Sequence, residues 1–185
     1  MKDQREERIG YFSEADCRLE DLKVLTSQKT TAAQVPNAAD ILNNIPVYDA
    51  ESLAQDLADD QRRRQLMAEW ARVLLTGPGI VALRGAVQDS DALDQARKAF
   101  EEIIAEEKAA GGEGADHFAA SGANDRIWNA LQKLCLRDPD AFMRCFASPS
   151  IDAVCEAWLG QGYQLTAQVN LVRPGGAAQL AHRDY

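Results

Sequence analysis

Hydrophobic positions divide the chain into three regimes. Residues 1–47 show little periodicity and carry polar tracts such as Thr26-Ser27-Gln28-Lys29-Thr30-Thr31. This stretch reads as an extended or partly disordered arm with one helical turn at most. From Asp49 onward, Leu53, Leu57, Leu66, Trp70, Val73 and Leu74 recur at helical spacing. Gly77-Pro78-Gly79 ends that helix, and Ile80-Val81-Ala82-Leu83 follows as a short apolar strand closed by Gly85. Leu93, Ala96, Phe100, Ile103 and Ile104 mark a second long helix over residues 90–109, with its glutamates on the solvated face.

Three shorter helices are expected next. Ile127, Trp128, Leu131, Leu134 and Cys135 form the stripe of the first. Asp138-Pro139 and Ser148-Pro149 each pair an N-cap residue with proline at the first helical position, and Gly160 follows the last stripe residues. After Gly162 the period changes to two. Residues 163–172 read as a strand with Thr166, Gln168 and Asn170 on one face and Leu165, Ala167, Val169 and Leu171 on the other. Arg173-Pro174-Gly175-Gly176 makes a turn, and residues 179–185 would return as a second strand. The implied class is α+β. Helices fill residues 49–160, a first hairpin fills 163–185, and both belong to one domain over 48–185.

About half of the 185 residues are apolar, which supplies a core for one domain. The formal net charge of −9 argues against non-specific binding to nucleic acid or anionic membranes. Cys17, Cys135, Cys145 and Cys155 form no CxxC pair and read as reduced thiols. No secretory signal or membrane span is apparent, so an intracellular, cytoplasmic protein is expected.

Chemistry concentrates near residue 185. His182-Arg183-Asp184 is an H-x-D on an expected strand, where residues i and i+2 project from one face and can reach one metal. A further histidine would complete a 2-His-1-carboxylate triad with open positions for a chelating cosubstrate and dioxygen. As a tripeptide H-x-D occurs often by chance, and solvated turn residues are its simplest reading. The polar face of Thr166, Gln168 and Asn170, brought alongside by the turn, shifts the balance, because polar groups on the concave side of a sheet need partners. The kinase H-R-D reading is set aside: Tyr185 stands where leucine is usual, and Gly77 and Gly79 lie in no glycine-rich phosphate loop.

The run from Leu165 to Gln179, leading into His182-Arg183-Asp184-Tyr185, resembles the phytanoyl-CoA dioxygenase family of Fe(II)- and 2-oxoglutarate-dependent oxygenases. So do Asp116-His117-Phe118 and the segment from Gly122 to Asn129, and the likeness covers roughly residues 76–185. The resemblance implies packing helices in front of a double-stranded β-helix, a jelly-roll core incomplete within these residues. It implies His182 and Asp184 as iron ligands, and Asn170 first, Gln168 second, as contacts to 2-oxoglutarate. It implies hydroxylation of an unactivated C–H bond in a small organic or lipid-like substrate, with dioxygen as co-reactant.

The family also carries a second ligand histidine, and then an arginine for the far carboxylate of 2-oxoglutarate, downstream of H-x-D. Neither has a counterpart here. The expectation is that the parent chain continues past Tyr185, or that this is a truncated product. His117, the other histidine, reads as a surface or hydrogen-bonded loop residue, with a place at the pocket mouth as the alternative. The competing reading of the whole is a non-catalytic remnant or helical interaction module.

Overall fold

The computed structural model describes residues 13–110 and 124–176. Within them the chain builds two packed groups of helix and strand, consistent with the expected α+β class.

In the first group, strands β1 (Asp40–Leu42), β2 (Ile45–Asp49) and β3 (Ala82–Arg84) form a sheet in that order. β1 and β2 run antiparallel through a tight turn at Asn43 and Asn44, whose φ values of 50° and 74° are ones asparagine tolerates better than other side chains. β2 and β3 run parallel, so the chain must cross over between them. It does so through α2 (Ala54–Ala58) and α3 (Asp60–Thr76). The single helix expected over this stretch is therefore two. Asp59 adopts an extended backbone and its side chain accepts from the Arg62 N–H at 2.8 Å, an N-cap that restarts the helix at the head of the polar run 59–65. The residues before position 48 also hold more regular structure than their polarity suggests, including α1 (Leu19–Ser27), all of β1 and most of β2.

Tyr48 and Trp70 centre this group, both fully buried, with rings edge-to-face at 5.6 Å. Leu53, Leu57 and Leu66 pack around them, and Ala153 joins from α7 (Pro149–Leu159). A charge sits in the same core. Glu69 is buried and accepts from the Tyr48 hydroxyl at 2.8 Å and from the Asn37 side-chain amide at 2.6 Å. Burial first, and then the bond to Glu69, push the Tyr48 phenol up. On the surface, Arg63 reaches Asp152 at 2.9 Å and Glu156 at 2.6 Å, clipping α3 to α7.

The second group packs α4 (Ser90–Ala109) on α5 (Ala130–Arg137) and α6 (Pro139–Phe146). Ala92, Ala96 and Ala99 give α4 a stripe of small side chains against Leu134 and Cys145, and the Cys145 thiol donates to the Ala92 carbonyl at 3.3 Å. Asp89, Asp138 and Ser148 cap α4, α6 and α7, and prolines open α6 and α7 as expected. Ile127 departs from the reading. It belongs to strand β4 (Asn124–Ile127), not to the stripe of α5. β4 pairs antiparallel with β5 (Val169–Val172), which is shorter than the expected 163–172 because β4 offers only four residues to pair with.

The described strands form one three-stranded and one two-stranded sheet, with no closed barrel among the described residues. Among them also, no helix is long and apolar enough to cross a membrane.

The Glu69 cluster sets a stability prediction. Glu69→Ala strands the buried Tyr48 hydroxyl, at about 1–3 kcal/mol when unsatisfied, and also removes the bond to Asn37, whereas Tyr48→Phe removes one hydrogen bond worth about 1 kcal/mol. In urea unfolding, Glu69→Ala is expected to lower the midpoint clearly more than Tyr48→Phe. Equal shifts would show that Tyr48 is the main recipient of whatever Glu69 contributes.

Candidate functional site

The β4–β5 ladder is the described part of the region where the chemistry was expected. Its register pairs Asn124 with Val172, Asp125 with Leu171, Arg126 with Asn170 and Ile127 with Val169. Opposed residues of an antiparallel pair share a face. Ile127 and Val169 turn inward onto Ile103, Ile104 and Ala130, which seats the ladder on α4. Arg126 and Asn170 therefore share the other face. The Arg126 guanidinium lies over the Trp128 ring, 5.1 Å from its centroid.

The expected alternation is present in exposure over residues 166–170 only, since Leu165 and Leu171, expected on the inner face, are exposed. Ala167 and Val169 are half-buried, while Thr166, Gln168 and Asn170 are exposed. Ala130 donates its N–H to the Ala167 carbonyl at 3.2 Å, which ties this lead-in to the start of α5. Both candidate amides, Asn170 and Gln168, are thus open to a ligand. Each offers an NH₂ donor and a carbonyl acceptor, suited to a carboxylate or to water. His182 and Asp184, the candidate metal ligands, lie outside the described residues, as does His117. Among the described residues no group of three His, Cys, Asp or Glu side chains gathers to hold a metal.

Beside the exposed face is an ionic cluster that sequence reasoning missed. Asp125 is 1% exposed. Arg173 reaches one of its carboxylate oxygens through Nε at 2.7 Å and Nη2 at 2.5 Å, and Lys108 reaches the other at 2.5 Å. Burial pushes the Asp125 carboxyl up, but the hydrogen bonds and charges of Lys108 and Arg173 outweigh it and hold the group below the usual carboxylate range. Arg173 is the first residue of the turn. Gly176 donates its N–H back to the Arg173 carbonyl at 2.8 Å, and Gly175 takes φ 82° after Pro174, the residue pattern of a type II turn. Asp125 therefore fixes the point at which the chain leaves β5. The signal for it was slight: Asn-Asp-Arg-Ile has low strand propensity apart from its isoleucine and reads as a loop.

The thiols add no second site. Burial pushes those of Cys145 and Cys155 up, so both stay protonated near neutrality.

No protein-family model, curated protein or solved structure matches the chain.

The depressed Asp125 carboxyl gives a pH prediction. A group whose folded value lies below its ordinary value, 3.8 here, stabilises the fold above that value and loses the contribution as pH falls through the folded one. Asp125→Asn is expected to cost about 1–3 kcal/mol at pH 7, since it leaves two cations without their partner. The gap between wild type and variant should narrow as pH falls below the ordinary carboxylate range. Urea midpoints at pH 7 and pH 3 measure both, and a gap of constant size would contradict the ionic assignment.

Proposed function

We propose that the chain carries the metal and cosubstrate half of an Fe(II)- and 2-oxoglutarate-dependent dioxygenase of the phytanoyl-CoA dioxygenase kind. His182 and Asp184 are the metal ligands in this reading, and Asn170, with Gln168 second, contacts 2-oxoglutarate. The fold proposed with it is a jelly-roll core behind packing helices, to which the β4–β5 ladder would contribute.

One observation supports the reading above others. The two segments that carry the resemblance, around residues 122–129 and 165–179, are about forty residues apart, yet they meet in a single ladder with Arg126 opposite Asn170. The donor chemistry agrees. A neutral imidazole nitrogen and a carboxylate oxygen, two residues apart, suit divalent iron and leave room for further ligands. When bound, iron and 2-oxoglutarate would supply the activation of dioxygen needed to hydroxylate an unactivated C–H bond in a small organic or lipid-like substrate.

The chain's own residues do the rest. Asp184 brings negative charge to the metal, and His182 coordinates as the neutral ring. The Asn170 and Gln168 amides orient a carboxylate without adding charge. Asp125, through Arg173, holds the start of the connection that leads to His182.

Residues 1–185 contain two histidines, His117 and His182, so the family's third ligand and its carboxylate-binding arginine have no assigned counterpart. Loss of one ionic hydrogen-bonding partner weakens cosubstrate binding by about tenfold or more. The 185-residue chain is expected to bind Co(II), a coloured substitute for Fe(II), only weakly. That absorption should vanish in His182→Ala and in Asp184→Ala and persist in Cys17→Ser, which removes an exposed thiol. With Fe(II), 2-oxoglutarate and air, succinate should not exceed the His182→Ala background. A cobalt spectrum unchanged in both ligand variants sinks the metal assignment, and succinate above background sinks the incomplete site.

A further inference from the structure

A cavity lies between the arm and the C-terminal end of α3, and no residue of the β4–β5 ladder lines it. It has a volume of about 670 Å³, within the size range of sites for drug-sized ligands. Val35 and Val73, 2% and 4% exposed, supply apolar surface, with Ile45, Ile80 and Leu25 adding to it. The wall on the arm side is held in place by Asn44. Its side-chain oxygen accepts from the Thr30 N–H at 2.6 Å, its amide donates to the Gln28 carbonyl at 3.1 Å, and the Thr30 hydroxyl donates back to the Asn44 carbonyl at 2.8 Å. The opposite wall is the closely packed end of α3. A Cβ on Gly77 would meet the Val73 carbonyl oxygen at 2.8 Å, so only glycine closes the helix here.

The charge of this cavity runs against that of the chain. The protein has 29 Asp and Glu against 20 Lys and Arg, yet no acidic residue lines the cavity, while Lys29 and Arg72 both do. Neither cationic head group makes a hydrogen bond or ion pair among the described residues. Glu69, one helical turn from Arg72, has its carboxylate taken up by Tyr48 and Asn37. Two of the carbonyls near the end of α3, which would repel an anion, are already engaged. The Arg72 carbonyl accepts from Gly77 N at 3.1 Å and from the Thr76 hydroxyl at 3.0 Å, and the Val73 carbonyl accepts from Gly79 N at 3.0 Å. Most arginines elsewhere on this surface are paired with acids.

We propose that this cavity binds a small organic carboxylate with a compact apolar body, its anionic head between Lys29 and Arg72 and its body against Val35 and Val73. Neither Asn170 nor Gln168, assigned to 2-oxoglutarate, lines this cavity. An apolar body covers Leu25 and Ile80, which are otherwise 47% and 51% exposed. The head is selected by charge, and the guanidinium can hold it through two parallel hydrogen bonds.

Titration calorimetry of the 185-residue chain with octanoate and with uncharged octanamide tests this. Octanoate is expected to bind in the millimolar range or tighter, and octanamide about tenfold more weakly. Arg72→Gln should weaken octanoate about tenfold and Lys29→Gln by a smaller factor. Arg97→Gln, which removes a surface guanidinium paired with Asp94 and Glu101, should change nothing, and neither should His182→Ala, which separates this cavity from the proposed metal site. Circular dichroism checks that each variant is folded. Equal binding of octanoate and octanamide, a folded Arg72→Gln that binds like wild type, an effect of His182→Ala as large as that of Arg72→Gln, or no octanoate binding at all would each overturn the proposal.

Discussion

A carboxylate can leave water only where donors replace its hydration shell, and this constraint organises both halves of the protein. Glu69 meets it with neutral groups. Tyr48 comes from β2 and Asn37 from the arm, so the buried charge on α3 draws together three stretches distant in sequence. Asp125 meets it with cations. Lys108 comes from the last turn of α4 and Arg173 from the turn after β5. The two solutions differ in consequence. Neutral donors satisfy Glu69 in the core, and burial first, then the bond to Glu69, raise the Tyr48 phenol. Cationic donors neutralise Asp125 and leave the neighbouring surface with no net acidity from it.

Between these two clusters the chain relies on capped helices and small side chains. Alanines on α4 let α5 and α6 approach closely, and Asp138 and Ser148 restart the helix twice within about ten residues. The second restart matters most. It turns α7 away from the α4 group and lays it on α3, where Ala153 enters the Tyr48–Trp70 core and Arg63 clamps the outer surface. The Ser148 cap and Pro149 at the first helical position together set that change of direction.

What the sequence made legible follows the range of the forces involved. The bounds of α4, the proline-opened starts of α6 and α7, the glycine after α7 and the turn at Arg173-Pro174-Gly175-Gly176 are local, and the structure has them as read. The errors are non-local or come from competing local signals. Asp59 caps a new helix at the head of the polar run 59–65, across which the spacing of Leu57 and Leu66 reads as one helix. Ile127 looks helical beside Leu131 and Leu134, but its partner is Val169, over forty residues away. β1 and β2 sit in a polar context that hides them, since only Pro46, Val47 and Tyr48 are buried. Of the candidate site, the exposed run of Thr166, Gln168 and Asn170 was readable from period two alone. The Asp125 cluster was not, because its three members lie in three separate segments.

The alternation of the ladder bears on what its open face can do. Asp125 and Arg126 are adjacent in β4, so their side chains leave on opposite faces. The nearest carboxylate in sequence is thus turned away from the Arg126 guanidinium and is already matched by Lys108 and Arg173. Trp128 supports the guanidinium through its ring face, an interaction that adds no negative charge. Asn170, opposite Arg126, is neutral as well. The exposed side of the ladder thus sets a cation stacked on an indole opposite a neutral amide, with the Asp125 carboxylate spent on the other side.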